Sequence, residues 1–339
     1  MKKALGLLLA VVLVVSIFTG CGSPAAPAES SGSATKEAAK TEEASSEAKT
    51  EEGMKKVGFA NFSYTQLFTK YVQDELVRYG KEKGIEIIAT DCGMDADKMN
   101  QQVNDLLAQD IELLILVPCD YSSNVPAIKA ANEKGVPVIS MLNMADREEG
   151  IEYTYVGSSN EEAGIMQAEW LKDRLPENAK VVYMLGKLGE YHVPLRRDGF
   201  INTMKKLRPD VEILAEQTAN WTRDEGMKLM EDWLTKFPQI DAVVSANDEM
   251  VLGAIQAMKA QNRLEGTYTL GIDALPEAID LIEKGEMSMS VLQDGVMQAD
   301  TCIDVVLKML AGEKVEDTNV PFKIVDSDTV KDYLDYYKE

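Results

Sequence analysis

At Asn247 a short apolar run hands over to a helical pattern. The stretch reads Asp241-Ala-Val-Val-Ser-Ala-Asn-Asp-Glu-Met250. Its first half is rich in β-branched residues and bounded by polar ones, as a buried strand is. From Asp248 onward, Met250, Leu252, Ile255 and Met258 fall on one helical face. An Asn at that switch offers one acceptor and two donors. It can read a ligand at the carboxyl end of a parallel strand, where α/β sheets bind ligands, or it can cap the helix. Spacing alone leaves both roles open. Asp248 and Glu249 look like a carboxylate pair, but acids in a first turn complement the helix dipole, so we read them as structural.

The residue sets of covalent and metal chemistry are missing. The sequence has no Gly-x-Ser-x-Gly elbow, no phosphate loop, no His-Glu-x-x-His and a single histidine, His192. No Asp/Asn alternation with a following Glu builds a calcium loop. We therefore expect no metal, no cofactor and no enzyme. Paired carboxylates of the glycosidase kind leave no motif, so sequence alone does not close that class. Cys92, Cys119 and Cys302 match no metal spacing, and an odd number cannot form a full disulfide set. We expect small buried or semi-buried thiols, with a Cys92–Cys119 bridge left open.

The elements that must position Asn247 follow one rhythm. Strands are expected at 57–61, 85–90, 113–117, 136–141 and 153–156, with helices at 64–83, 95–109, 122–134 and 161–174. The alternation then restarts, with strands at 181–185, 211–216, 242–245, 268–271 and 287–292. Two rounds of strand–helix–strand units imply an α/β fold of two doubly wound parallel sheets with helices on both faces. Two such lobes suggest a cleft between them, the usual place for a small ligand.

The chain has 339 residues, a net charge of -22 and 45% hydrophobic residues. The length suggests two folding units, and the acidic surface repels phosphate backbones, which argues against nucleic acid as a partner. Met1-Lys2-Lys3 and the apolar stretch 4–18 form the basic start and core of a signal peptide over 1–20. Thr19-Gly20-Cys21 resembles the lipobox of bacterial lipoproteins, which implies a lipidated Cys21; Phe18 departs from the Leu usual in that motif. Residues 22–53 are Ser, Ala, Glu, Lys, Thr and Pro-rich with no aromatic, so 21–53 reads as a flexible tether. The expected location is extracytoplasmic, anchored by lipid to the outer face of a bacterial membrane.

Several segments together resemble the type I periplasmic binding proteins of the ribose/galactose branch. They are the first strand–helix unit, residues 57–84; Gln109-Asp-Ile-Glu-Leu-Leu-Ile-Leu-Val-Pro118; and Gly135-Val-Pro-Val-Ile139. Tyr155-Val-Gly-Ser-Ser-Asn-Glu-Glu-Ala-Gly164, Ser245-Ala-Asn-Asp-Glu-Met-Val-Leu-Gly-Ala254, Gly271-Ile-Asp273 and Val291-Leu-Gln293 follow in order. The resemblance covers nearly all of 54–325. It implies one lobe from 54–158 plus about 294–322 and another from 159–293 plus about 323–339, joined by a three-strand hinge that closes on ligand. It also implies a monomeric solute receptor for a membrane importer. A receptor feeding a membrane sensor would share the same fold, and neighbouring genes would separate the two.

Sugars present adjacent hydroxyls and C–H faces, which call for planar hydrogen-bonding groups and aromatic rings. Carried over by resemblance, Phe68 and Trp221 become stacking aromatics, and Phe62 and Gln66 lie in the first strand–helix loop. Asn247 becomes a hydroxyl reader, Asp273 a hydroxyl-accepting carboxylate and Gln293 a hinge-adjacent amide. Asp248 or Ser245 would then help cap the helix in place of Asn247. Ribose binders carry Asp-Arg after the fourth strand and galactose binders Asn-Lys, whereas this chain has Leu142 and Asn143. Losing charged groups there removes the stronger class of hydrogen bonds. His192 and Arg196 are the candidates to replace them. The expected ligand is therefore a deoxy sugar, polyol, furanosyl compound or similar hydroxylated molecule.

Overall fold

Strands buried on both faces read as continuous apolar runs, and Leu113–Leu116, Val138–Met141, Ala242–Ser245 and Met289–Leu292 are buried at every position. These runs are centres of two sheets in the computed structural model, which describes residues 53–336. The expected signal peptide, Cys21, the tether up to residue 52 and the tail 337–339 lie outside the described residues.

The first sheet and its helices begin with β1 (Lys55–Asn61), α1 (Leu67–Glu82), β2 (Ile85–Asp91), α2 (Ala96–Leu107), β3 (Leu113–Leu116), α3 (Val125–Glu133), β4 (Val138–Met141) and β5 (Thr154–Gly157). The chain then passes into the second lobe with α4 (Asn160–Leu171), β6 (Lys180–Leu185), α5 (His192–Leu207), β7 (Glu212–Thr218), α6 (Arg223–Lys236) and β8 (Ala242–Ser245). That lobe continues through α7 (Asp248–Ala260), β9 (Tyr268–Ile272), α8 (Pro276–Glu283) and β10 (Met289–Leu292). Helix α9 (Gly295–Leu310) and β11 (Thr318–Asn319) return to the first lobe, and β12 (Lys323–Asp326) ends in the second. The sheet orders are β11-β5-β4-β3-β1-β2 and β12-β10-β9-β8-β6-β7.

Each sheet thus reverses direction at its first strand, and each buries its own apolar core. All pairings are parallel except β10 with β12, which enters the second sheet from β11 of the first. The chain crosses between sheets after β5, after β10 and after β11.

Two helices start later than their periodicity suggests, and both delays have side-chain causes. Asn61 Oδ1 accepts from the Ser63 amide at 3.3 Å, and the Thr69 hydroxyl folds back onto the Ser63 carbonyl. Residues 62–66 are therefore a loop, and Gln66 becomes the N-cap position of α1. Likewise Asp120 Oδ1 takes the amides of Ser122 and Ser123 at 2.9 and 2.7 Å, which holds a turn before α3. These loops free side chains at the carboxyl ends of β1 and β3.

Candidate functional site

In the second lobe Asn247 does two structural things at once. Its Oδ1 accepts from the Met250 amide at 3.1 Å, and its Nδ2 donates to the Trp221 carbonyl at 3.3 Å. This corrects the expectation that Asp248 or Ser245 relieves it of the cap. Ser245 Oγ accepts from the Asn247 amide instead, and Asp248 faces away into the core. One amide hydrogen and one oxygen lone pair of Asn247 are still uncommitted.

Asp248 supports the neighbouring Asp273. Its Oδ2 accepts from the Leu275 amide at 2.8 Å and its Oδ1 from the Ser290 hydroxyl at 2.7 Å. Ser290 Oγ in turn accepts from the Ala274 amide at 3.0 Å. Together they hold a turn in which Asp273 and Ala274 have φ of +120° and +53°. Such backbone costs on the order of 1–3 kcal/mol per residue and persists only where its surroundings impose it. Gly271 leaves the room, since a Cβ there would lie 2.0 Å from Asp248 Oδ1. Glu249 pairs with Arg223 through two bonds of 3.0 Å, so the acids after Asn247 are structural, though Asp248 acts by hydrogen bonding and not through the helix dipole alone.

Burial, opposed by the Arg196 guanidinium, lifts the Asp273 carboxyl to a pKa of about 7. Arg196 is itself buried and braced: Nε donates to Asn160 Oδ1 at 2.9 Å, Nη1 to the Ala246 carbonyl at 2.7 Å and Nη2 to Gln293 Oε1 at 2.6 Å. Burial pulls its pKa down from the usual arginine value. By fixing the Gln293 oxygen, Arg196 leaves the Gln293 amide as a donor.

Trp221, the stacking aromatic that the resemblance implies for the second lobe, is only 5% exposed and joins that lobe's core. Its indole lies against Gly186, where a Cβ would sit 1.8 Å from Cζ2. The indole N–H donates to Glu190 Oε2 at 2.7 Å, and His192 stacks on the ring at 4.8 Å. Trp221 has φ +67°, an outlier for a bulky residue. Glu190 was passed over in the sequence. It is 3% exposed, its Oε1 has no partner among the described residues, and burial raises its pKa to about 7. His192 lies 3.4 Å from Glu190 through Nε2, and burial holds it neutral by lowering its pKa.

The first lobe contributes a different surface. Leu142 follows β4 with φ +63°, held by the Tyr155 hydroxyl donating to its carbonyl at 3.0 Å. Asn143 Nδ2 donates to the Pro118 carbonyl at 3.0 Å, which leaves Oδ1 as an acceptor. Phe68 is half-buried and touches both lobe cores, so it also packs the two lobes together. Tyr121 and Tyr191 stack across the lobes at 5.3 Å and 14°.

These side chains meet around one void of about 480 Å³, part of it open to solvent. The structure brings Phe62, Gln66, Phe68, Asn143, His192, Arg196, Trp221, Asn247, Asp273 and Gln293 to its wall, so no ligand-contact candidate from the sequence lies elsewhere. Thr69, Val117 and Leu142 complete the lining. Thr69 and Val117 had been missed; Val117 carried a signal, since it ends the apolar run expected as a strand over 113–117. No group of three or more His, Cys, Asp and Glu that could hold a metal occurs among the described residues. No described helix is long and apolar enough to cross a membrane.

The arrangement can hold a small neutral molecule by hydroxyl bonds on one side and apolar contact on the other. Residues 57–314 match the family model described as periplasmic binding protein domain. A putative rhizopine-binding protein of Rhizobium meliloti is 30% identical, over 79% of this chain and 89% of its own. A xylitol-binding protein of Mycolicibacterium smegmatis is 29% identical, over 77% of this chain and 74% of its own. Among solved structures, an ABC transporter solute binding protein from Bacillus halodurans with bound myo-inositol is similar at a TM-score of 0.79 and 31% identity. It covers 84% of this chain and 99% of its own.

Proposed function

The chain belongs to the periplasmic binding protein family, and from that premise we propose that it is an extracytoplasmic receptor for a ring polyol or sugar-like ligand of an ABC importer. The observation that carries this reading is the convergence of Asn247, Asp273, Gln293 and Trp221 from the second lobe onto the cavity that Phe62, Leu142 and Asn143 close from the first. Relatives bearing the names xylitol- and rhizopine-binding, and a similar structure holding myo-inositol, support a ligand among polyhydroxylated small molecules.

The lining residues take named roles in this reading. Asp273 accepts hydroxyl hydrogens, Gln293 and Asn247 donate through their amides, and Trp221 offers a ring face to C–H groups. Arg196 and Glu190 orient Gln293 and Trp221. The chain does no covalent chemistry on its ligand. Lobe boundaries at 158–159, about 293–294 and about 322–323 give a three-strand hinge, which supports closure on ligand. Residues 1–20 serve as the export signal, Cys21 as the lipid anchor and 21–53 as the tether to a monomeric receptor facing its permease.

A thermal-shift screen against sugars, polyols and nucleosides tests the proposal. A ligand that binds only the folded state raises the melting midpoint by mass action. A shift confined to hydroxylated rings or polyols is the expected outcome. No shift with any of them, or a shift with nucleosides alone, would overturn it.

A further inference from the structure

Behind the ligand wall of the first lobe two thiols touch. Cys92 directly follows β2 and Cys119 lies three residues beyond β3. Their Sγ atoms are 3.3 Å apart, at 2% and 6% exposure. In the sheet, β2 and β3 flank β1, so the two sulfurs meet across the carboxyl end of β1. Cys92 Sγ also donates to the Phe62 carbonyl at 3.1 Å, and that carbonyl accepts from the Met94 amide at 2.7 Å. Next to Cys119, the Pro118 carbonyl holds Asn143. The pair therefore sits between the segments that carry Phe62, Val117 and Asn143 to the cavity.

Cys302 is the contrast. It is buried in the same core, and among the described residues no other cysteine sulfur lies within hydrogen-bond reach of it. The odd number of cysteines in the folded part is then one pair plus one inert thiol. A covalent S–S bond is about 2.05 Å long. Closing the 3.3 Å gap needs a shift of roughly 1.3 Å shared by the two side chains. Either sulfur can donate to the other, and a hydrogen bond from Cys119 lowers the Cys92 pKa toward the thiolate, the form that attacks disulfides.

We propose that Cys92 and Cys119 are a disulfide-forming pair that clips the ends of β2 and β3 together over β1. The Cys92 thiolate attacks one sulfur of a disulfide oxidant, forming a mixed disulfide and releasing one thiolate. Cys119, losing its proton, attacks Cys92 Sγ and expels the second thiolate. Two thiols are oxidised, one oxidant disulfide is reduced to two thiols, and the electrons balance. For its oxidant in the cell the step rests on the extracytoplasmic location proposed above. The clip shortens the unfolded chain's freedom between its ends and stiffens the Phe62 side of the cavity.

The test refolds the full chain from denaturant in oxidised glutathione or in dithiothreitol. Free thiols are then blocked with iodoacetamide under denaturing conditions, and the digested peptides are mapped by mass. In glutathione, the Cys92 and Cys119 peptides are expected as one cross-linked species, lighter than their sum by two hydrogens, with Cys302 alkylated in both buffers. The oxidised chain should melt several degrees higher, and the Met94 amide should exchange more slowly. Cys92→Ser and Cys119→Ser should each abolish these differences, whereas Cys302→Ser should not. Alkylation of both Cys92 and Cys119 after oxidation, a cross-link to Cys302, or a cross-link without a change in melting would overturn the proposal. A cross-link in glutathione that is absent from chain recovered from its own cells would support the pair and count against the location.

Discussion

The two lobes share one strand order and differ in what they present at the strand ends. After β8, β9 and β10 the second lobe places Asn247, Asp273 and Gln293, braced by Arg196, Asp248 and Ser290. After β1, β3 and β4 the first lobe places Phe62, Val117, Leu142 and Asn143, and β3 and β4 stand in its sheet where β8 and β9 stand in the other. The scaffold is interchangeable, and the residue directly beyond each strand decides the chemistry. One lobe buries charge and braces most of it with neighbours, Glu190 Oε1 excepted; the other offers a mostly apolar wall. The ligand that matches both has hydroxyls along one edge and a C–H or methyl surface along the other.

The most damaging change to this contrast is Asp273→Ala. Losing a buried charged acceptor should weaken ligand binding by about 1.5 kcal/mol or more, tenfold or beyond, by calorimetry. Unchanged affinity would remove the second lobe's claim to read hydroxyls.

Asn247 separates capping from reading. Asn247→Ala should lower the melting midpoint of the empty protein, by about 1 kcal/mol of stability, and weaken binding as well. Asn247→Ser keeps a good cap, so the midpoint should stay near the parent's while affinity still falls. Equal affinity in the serine variant would make Asn247 a cap and nothing more.

The charge buried in the second lobe has a pH signature. The Glu190 carboxyl, raised to about 7 by burial, keeps a proton in the folded chain that the unfolded chain has lost above its ordinary carboxylate range. Its contribution to stability therefore falls as pH rises from about 4 to about 7. Glu190→Gln retains an acceptor for the Trp221 indole and removes that loss. It should melt higher than the parent at pH 8, with the gap closing toward pH 4 in thermal scans of the empty protein. A gap that is constant with pH would show that burial does not raise the Glu190 pKa above its unfolded value.

A smaller change works on the first lobe. Asn tolerates the left-handed backbone that Leu142 adopts at φ +63°. Leu142→Asn should fold, and it should move preference toward fully hydroxylated ligands by a few-fold, under about 1 kcal/mol. Competition titrations would reveal the shift, and no change in preference would mean that the apolar wall is a bystander.

Most of the fold was legible because buried parallel strands write themselves as short, nearly continuous apolar runs, as 242–245 and 113–116 do. A strand end then pointed to Asn247, and resemblance supplied Trp221, Phe68, Asp273 and Gln293. What escaped depended on contacts between segments distant in sequence. Glu190 matters because the indole of Trp221 reaches it, and no spacing announces that. Asp248 looked like a dipole-matching acid, but its work is to hold a turn at 273–275, which only the folded β9 and β10 bring near. The late start of α1 came from Asn61 and Thr69 competing for loop backbone, a local effect that helical periodicity does not carry.

The central claim is that hydroxyls are read by one lobe and tolerated in absence by the other. Calorimetric titration of the parent chain with myo-inositol, or the polyol that shifts it most, alongside its positional mono-deoxy analogues, tests this directly. The account predicts that at least one analogue binds as tightly as the parent ligand, the missing hydroxyl facing Leu142 and Val117, while others lose on the order of tenfold at Asp273 and Asn247. A comparable loss for every analogue would contradict it.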